Sequence, residues 1–433
     1  MILGGEVVLF LRAGDSIAEE TLGELKKIAA ARPCVVVREE DRDRRWEDVL
    51  GYGRPAAVAV PHAAGVAAAQ LNAEFGAAAG LELLLRLGDE PAVLAGLRDS
   101  RAQRAAARAE AAGLSAHLLM TAHPRALERL PIGAFAEAAP LERLVRRLLL
   151  VLRVPAGALP GRRSSIERYA YWRGVRAATD RETWRRLTRA TTILMYHAFG
   201  ERGEQASRFV VPAGRFRRQL RLLRALRRPV LTLGEYADLR RSGRLPPPRA
   251  VVITMDDGYL DNRTVAQPLL ASAGFRATLF VVSGSLGSTN RWDGDGELAG
   301  RAILDAAALR ELAERGIEIG NHTRSHPHLP GLTPAQVRDE LLGAQDELER
   351  LGIPVARLVA YPHGLTSDDV QSVAEEAGFV AACGVRDGLN GARTPLFGLR
   401  RTIVDGRHSL LRFALALACG DPAPLHSTLR RHG

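Results

Sequence analysis

The chain has 433 residues, of which 46% are hydrophobic, and 60 Lys and Arg stand against 49 Asp and Glu, a formal net charge of +11. The hydrophobic fraction excludes a wholly disordered chain, and the length favours two domains. Acidic residues are mixed among the arginines and no basic region carries interleaved aromatics, so we expect no nucleic-acid partner. The three cysteines lie too far apart for a disulfide framework, which predicts a reducing, cytoplasmic location.

The first 150 residues are predicted to form a small α/β region. Short apolar runs at 7–11, 34–37 and 56–60 are typical of strands, and residues 18–31 have the apolar spacing of a helix. An Ala- and Arg-rich helix is predicted over 97–113. No catalytic constellation is present in this region, so its role stays open.

One segment of this region, residues 9–22, resembles the middle of a family 2 glycosyltransferase. In that family a strand ends in an acidic D-x-D turn that binds a metal and a nucleotide-sugar. Arg12 or Ala13 stands in place of the first acid here, and the nucleotide-binding half is not found before it. The resemblance implies a truncated, inactive remnant.

Residues 151–190 are predicted to be a Pro- and Gly-containing linker that leads into a helix at 166–178. The preceding stretch 148–154 is apolar but shorter than the ~18 residues a membrane span needs. Its pattern favours a core helix with basic ends, and the alternative is peripheral contact with an anionic membrane. The first residues lack the basic and apolar regions of a signal peptide.

From residue 191 onward, apolar strands alternate with amphipathic helices, which predicts a parallel sheet, either open or closed into a barrel. The predicted strands are residues 192–196, 250–255, 277–282, 317–319, 358–361, 380–383 and 399–404. The predicted helices are residues 215–226, 304–315 and one that opens with a capping box at Thr333 and runs to about 351. In both folds the chemistry lies at the carboxyl ends of the strands.

Polar residues follow several of these strands. Asp256 and Asp257 come directly after 250–255, and adjacent carboxylates there are costly unless paired or metal-bound. The alternative is an ordinary Asp-Gly turn. His197 follows 192–196, and a Pro-His-Gly turn at residues 362–364 could present backbone N–H groups to an oxyanion.

Three histidines, His322, His326 and His328, lie within seven residues after the strand at 317–319. A catalytic zinc needs about three protein ligands and an open position, which two histidines and one carboxylate would supply. His328 is the weakest of the three candidates, because Pro327 redirects the chain.

The ordered motifs Thr-Met-Asp-Asp-Gly, His-Thr-Arg-Ser-His and Tyr-Pro-His-Gly resemble those of the polysaccharide deacetylases, carbohydrate esterase family 4. The resemblance covers roughly residues 190–405 and implies a distorted (β/α) barrel over 191–433, with the small α/β region as an N-terminal extension. Ile-Leu-Met-Tyr-His at 193–197 is similar to the branch in which the catalytic histidine precedes the Asp-Asp motif.

The resemblance implies a role for each matching residue. Asp256 is the general base, His197 the general acid, and Asp257, His322 and His326 bind a divalent metal, zinc being the expected ion. The other two roles go to the backbone N–H of His363, which would hold the oxyanion, and to Arg401, which would orient the base, with Arg400 as a competitor.

Met255 and His363 depart from the usual Phe and Tyr, which leaves the side-chain role of His363 in doubt, and His408 is a poor candidate for a C-terminal catalytic histidine. The implied activity is removal of N-acetyl groups from an N-acetylated glycan or glycolipid. The alternatives are hydrolysis of another non-peptide amide or an O-acetyl ester, and a non-catalytic carbohydrate-binding relic. The arginine surplus leaves peripheral contact with an anionic membrane as a further expectation.

Overall fold

The structure is a computed structural model that divides into two compact units, residues 1–188 and 189–433. It describes seven strands between residues 2 and 98, and then residues 105–122, 127, 129–138, 140–156, 159, 163–200 and 204–421. Across the described residues, no helix is both long enough and apolar enough to cross a membrane.

The first unit contains a mixed sheet. Its strands are β1 Ile2–Leu3, β2 Val7–Phe10, β3 Ser16–Ile17, β4 Cys34–Val37, β5 Ala56–Pro61, β6 Ala92–Ala95 and β7 Leu97–Arg98. Five of them pair in the order β1-β2-β5-β4-β6, and β3 pairs with β7. The three strands predicted from apolar runs are confirmed, as β2, β4 and β5. The helix predicted at 18–31 and the turn residues Arg12 and Ala13 lie outside the described residues.

The described residues of this unit also form the helices α1 Ala105–Ala122, α2 Pro140–Val151, α3 Arg163–Ala178 and α4 Arg181–Thr188. The prediction of one helix over 97–113 was wrong at its start, because Leu97 and Arg98 pair with β3 and the helix begins only at Ala105. The division between the units falls after α4, at Thr188.

The prediction that residues 148–154 form part of a core helix was also wrong. Leu148 is 52% exposed and Val151 is 77% exposed. The opposite face of α2 is the buried one, where the Arg146 guanidinium lies 4.1 Å from the centroid of the Trp172 ring. The aliphatic stem and planar head of arginine allow this inward packing, which hydropathy along the sequence does not reveal.

The second unit is built on parallel strands. They are β8 Thr192–Tyr196, β9 Ala198–Gly200, β10 Val210–Pro212, β11 Val230–Leu231, β12 Val251–Met255, β13 Thr278–Val281, β14 Glu318–Asn321, β15 Val355–Ala360, β16 Ala381–Cys383 and β17 Thr402–Ile403. The helices are α5 Ala213–Ala225, α6 Leu233–Arg241, α7 Gln267–Ala273, α8 Ala306–Glu314, α9 Pro334–Arg350, α10 Asp368–Glu376 and α11 Leu410–Cys419. The predicted capping box at Thr333, with Gln336 as its partner, is confirmed at the start of α9.

Eight of these strands form one sheet in the order β16-β15-β14-β13-β12-β8-β17, with β11 paired to the first half of β12. All of its pairings are parallel, and β8, β12 and β13 are buried along their whole length. Burial on both faces explains why these strands read as continuous apolar runs. The predicted class, α/β with a distorted (β/α) barrel in the second half, is confirmed.

The segment 399–404 closes the curled sheet. Leu399 forms a parallel bridge with Cys383 at the end of β16, and Thr402 and Ile403 pair with β8 at the other edge. One short segment therefore contacts both edges of the sheet. The residue between these two contacts, Arg401, is fully buried.

Candidate active site

The carboxyl ends of the strands converge on a cleft of about 350 Å³. Every residue to which the family resemblance assigns a role lines it. The full lining is Met195, His197, Arg208, Phe209, Asp256, Asp257, Trp292, Asp293, Leu298, His322, His326, Tyr361, His363, Gly364, Val385, Asp387, Arg401 and Ile403. The parallel sheet explains the convergence, because it brings the ends of β8, β12, β14 and β15 to one edge.

Asp256 forms a bidentate ion pair with Arg401. Arg401 Nη1 and Nη2 donate to Asp256 Oδ1 and Oδ2, each at 2.7 Å, and both side chains are almost fully buried. Burial alone would raise the pKa of Asp256, but the Arg401 guanidinium and the nearby His322 hold it below its usual range. The carboxylate is therefore ionised at neutral pH, as a proton acceptor must be.

Arg401 is the arginine that reaches the base, whereas the Arg400 side chain lies against Gly388, where a Cβ would come within 2.8 Å of Arg400 Cδ. Arg401 Nε donates to the carbonyl of Gly384 at 2.9 Å, which fixes the plane of the guanidinium. Arg400 exchanges hydrogen bonds through its backbone with the side chain of Asn390.

We expect Arg401→Met to destabilise the second unit by about 3–5 kcal/mol at pH 7, because it leaves the Asp256 carboxylate buried and unpaired. In the wild-type protein the lowered pKa of Asp256 contributes stability that is present above pH ~4 and is lost as the pH falls through the folded-state value. In the variant, burial without the arginine raises that pKa, so folding stability falls as the pH rises above ~4. Urea denaturation at pH 7 and pH 4 measures the free energy of unfolding of both proteins. The difference between the wild-type protein and Arg401→Met should be smaller at pH 4 than at pH 7. Arg407→Met, which removes the exposed partner of Asp405, serves as the control and should change little at either pH.

Asp257 lies at the centre of the candidate metal site. Its backbone is left-handed, with φ of 74°, a conformation that residues other than glycine rarely adopt. Oδ1 lies 3.4 Å from His322 Nε2 and 3.6 Å from His326 Nε2. Burial alone would raise the pKa of Asp257, but His322 and the neighbouring histidines lower it.

The donor set fits a divalent cation. One ligand atom from each of Asp257, His322 and His326 lies within 4.8 Å of the others, and all three side chains are buried. Within the described part of the chain, Asp257 Oδ1 has no hydrogen-bond partner, a costly state for a buried carboxylate oxygen. His322 Nδ1 lies 2.7 Å from the carbonyl of Ala360, so it carries the proton and leaves Nε2 as the ligand atom. Two histidines and one carboxylate are a known catalytic zinc set.

His326 is held in its neutral form. Burial, and the charge that His322 would carry, lower the pKa of His326 to about 3. Its ring also packs beside Trp292, with ring centroids 5.0 Å apart. A neutral imidazole is the form that binds a metal.

His197 and His363 stand on other sides of the cleft. The half-buried His197 ring packs edge-on against Phe209, with centroids 5.0 Å apart, and its carbonyl accepts a hydrogen bond from Asn262 Nδ2. His363 has φ of 54° and an exposed side chain that contacts the rings of His326 and His328. Gly364 beside it is required by space, because a Cβ there would meet Val385 Cγ2 at 1.2 Å.

Two of the weaker sequence candidates lie away from the cleft lining. His328 is exposed and packs on His363, and His408 lies 3.9 Å from Asp405.

Sequence reasoning missed several residues of the site. Burial and the Asp257 carboxylate raise the pKa of Tyr259 well above its usual range, so its hydroxyl stays protonated beside that carboxylate, and it accepts a hydrogen bond from Asn290 Nδ2 at 2.7 Å. Trp292 and Asp293 come from a loop after β13, and Phe209 and Arg208 from the segment before β10. The aromatic residues in polar loops are the one signal that could have drawn attention to them.

Comparison with known proteins identifies the class of this domain. Residues 243–382 match the family model described as polysaccharide deacetylase. This range contains the Asp-Asp, His-x-x-x-His and Pro-His-Gly motifs that build the cleft. The part of the second unit that builds the cleft is therefore similar to the polysaccharide deacetylases.

Individual relatives match about half of the chain. Bacillus subtilis YxkH, whose name assigns it to the polysaccharide deacetylases, is 27% identical over 212 residues, which cover 49% of this chain and 70% of the relative. A poly-β-1,6-N-acetyl-D-glucosamine N-deacetylase of Staphylococcus aureus is 24% identical over 204 residues, 45% of this chain and 68% of the relative. The solved structure of IcaB from Ammonifex degensii aligns with a TM-score of 0.45 and 22% identity, over 53% of this chain and 96% of that one.

Proposed function

We propose that the second unit is a metal-dependent hydrolase that removes N-acetyl groups from an N-acetylated polysaccharide. The observation that carries the proposal is the placement of two adjacent carboxylates in different environments within one cleft. Asp256 is paired with a buried arginine, whereas Asp257 faces two histidines. One carboxylate is thus suited to proton transfer and the other to metal binding.

When bound by Asp257, His322 and His326, a divalent cation would supply Lewis acidity, which activates water and polarises a carbonyl. The bidentate contact from Arg401 holds Asp256 in one orientation, so its carboxylate can accept a proton from the attacking water. Arg401 itself is a positioning residue, since its guanidinium is engaged by Asp256, Thr254 and Gly384.

His197 is the proposed general acid. It lines the cleft and follows β8, the strand next to β12, so we expect it to approach the leaving nitrogen while Asp256 accepts the proton of the water. Its position before the Asp-Asp motif is the arrangement that the sequence resemblance implied. The backbone N–H of His363, in the turn after β15, is the proposed protein donor to the developing oxyanion.

The relatives and the cleft support the proposed substrate class. A relative that matches 45% of this chain is named for its action on poly-β-1,6-N-acetyl-D-glucosamine. The cleft here is open, has aromatic walls in Phe209 and Trp292, and has the volume to admit a sugar acetamide. We infer that the reaction yields acetate and a free amino sugar within the chain.

The test is acetate release from N-acetylglucosamine oligomers by zinc-loaded protein, with amine formation measured in parallel. We expect one amine for each acetate, and we expect His197→Ala to lower kcat by about 10²–10⁴-fold, the range for a general acid. Phe209→Leu, which removes the ring that packs on His197 and leaves the imidazole in place, is the matched control and should cost far less. Acetate released without amine would point to an O-acetyl ester as the substrate. Full activity in His197→Ala would remove His197 from the mechanism.

A further inference from the structure

The loop that carries the two histidine ligands is strained. Thr323 and His326 have φ values of 68° and 60°, in the left-handed region that residues other than glycine rarely adopt. Such a conformation persists only where the surroundings impose it. The question is which contacts hold residues 322–326 in the shape that aims both imidazoles at Asp257.

Four consecutive backbone N–H groups of this loop donate to side-chain oxygens. The N–H of Thr323 donates to Asn321 Oδ1 at 2.8 Å, and that of His326 donates to Thr323 Oγ1 at 3.0 Å. Both of these acceptors belong to the loop or its strand. The two groups in the middle, from Arg324 and Ser325, both donate to Glu340 Oε2 at 2.9 Å.

Glu340 is therefore the external anchor of the loop. It lies on α9, and its second oxygen, Oε1, accepts a hydrogen bond from Ser325 Oγ at 2.7 Å. Hydrogen bonds to a carboxylate are roughly twice as strong as neutral ones, and three converge on this one side chain. A rigid helix thus fixes the middle of the segment whose two ends carry the ligands.

A second contact between the loop and α9 is weaker. The Arg324 guanidinium forms ion pairs with Asp339 and Glu347, and it passes over Gly343, where a Cβ would meet Arg324 Nη2 at 1.9 Å. The Asp339 carboxylate is 70% exposed, and ion pairs with exposed partners contribute little. Glu340 differs because it binds backbone N–H groups of the loop rather than a flexible side chain.

We infer that Glu340 is a positioning residue for the metal site: its carboxylate holds the loop 322–326 so that His322 and His326 converge on Asp257. The inference rests on the proposed function, since it concerns the same ion. Glu340 is 14 residues beyond His326 in the chain and does not line the cleft. It therefore affects the metal site only by positioning the two histidine ligands.

The test measures metal affinity directly. Apo protein is titrated with Zn²⁺ against a chromophoric chelator, and with Co²⁺, whose visible absorption reports the ligand geometry. We expect Glu340→Ala to raise the zinc Kd by about 10–100-fold, the usual cost of losing a residue that orients a ligand, and to alter the Co²⁺ spectrum. Glu340→Gln should lose less, because its amide oxygen can still accept from both N–H groups while its NH2 donates to Ser325.

Asp346→Asn is the matched control, since it makes the same charge change on an exposed residue of α9, and its Kd should stay at the wild-type value. Wild-type zinc affinity in a folded Glu340→Ala protein would overturn the inference and leave the proposed function intact. A wild-type protein that binds no zinc or cobalt would overturn both. If Glu340→Ala does not fold, Glu340→Met decides, because it keeps the length of the side chain but has no oxygen to accept from the loop: a Kd and spectrum equal to those of the wild-type protein would reject the role.

Discussion

Asp256→Asn should lower kcat for acetate release by about 10²–10⁴-fold, the contribution expected of a general base. Asparagine has nearly the same shape and can still accept a hydrogen bond from Arg401, but it cannot accept a proton at neutral pH. Because the substitution leaves metal ligands and cleft shape in place, KM and zinc content should change little. Steady-state kinetics together with zinc analysis of the purified variant give the measurement.

The substitution also removes the counter-ion of a buried guanidinium, so a loss of stability must be separated from a loss of chemistry. Asp405→Asn is the matched control, because Asp405 also pairs with an arginine, Arg407, and its side chain does not line the cleft. Thermal unfolding of both variants would show whether Asp256→Asn is folded at the assay temperature. Acetate release by folded Asp256→Asn at nearly the wild-type rate would reject Asp256 as the base.

His322→Ala should abolish stoichiometric metal binding and reduce acetate release to background. It removes one of three protein ligands, and the two that remain cannot hold a catalytic ion in the usual way. The effect on Kd should exceed the 10–100-fold typical of residues that only orient a ligand. Metal content after dialysis, measured by elemental analysis beside activity, gives the result. Chelation of the wild-type protein should reproduce the loss, and added zinc should reverse it.

His408→Ala is the matched control for this experiment, since His408 is a half-buried histidine beside Asp405 and lies off the cleft lining. It should retain both metal and activity. Stoichiometric metal in His322→Ala would place the ion elsewhere, and a wild-type protein that never takes up a divalent metal would end the proposal of a metal-dependent hydrolase.

Much of the site could be read from the sequence because its residues follow strands. A continuous apolar run marks a buried parallel strand, and the residues after it are bound to reach the same edge of the sheet. His197, Asp257 and His322 were found in this way from three separate segments. Their order and spacing carried the family resemblance, which the match over 243–382 supports.

The hydropathy pattern of a segment was less informative where contacts with distant residues decide its structure. The apolar face of α2 is exposed although its sequence favoured a core helix, because the arginine side of the helix packs on Trp172. The start of α1 was misplaced because Leu97 and Arg98 are drawn into a strand by a partner at residues 16–17, about 80 positions away in the chain.

By itself, the sequence determined the class of the second unit, the strand ends that carry chemistry, and the carboxylate and histidines that can bind a metal. Only the tertiary structure decided between Arg400 and Arg401, since the pairing of Asp256 with Arg401 spans 145 positions and depends on closure of the sheet by residues 399–404. It alone brought Tyr259 to Asp257 and Glu340 to the histidine loop. The physical reason is that a strand's own residues set where its end lies, whereas the partners of a buried charge or an unpaired N–H are supplied by whichever elements the fold packs beside it.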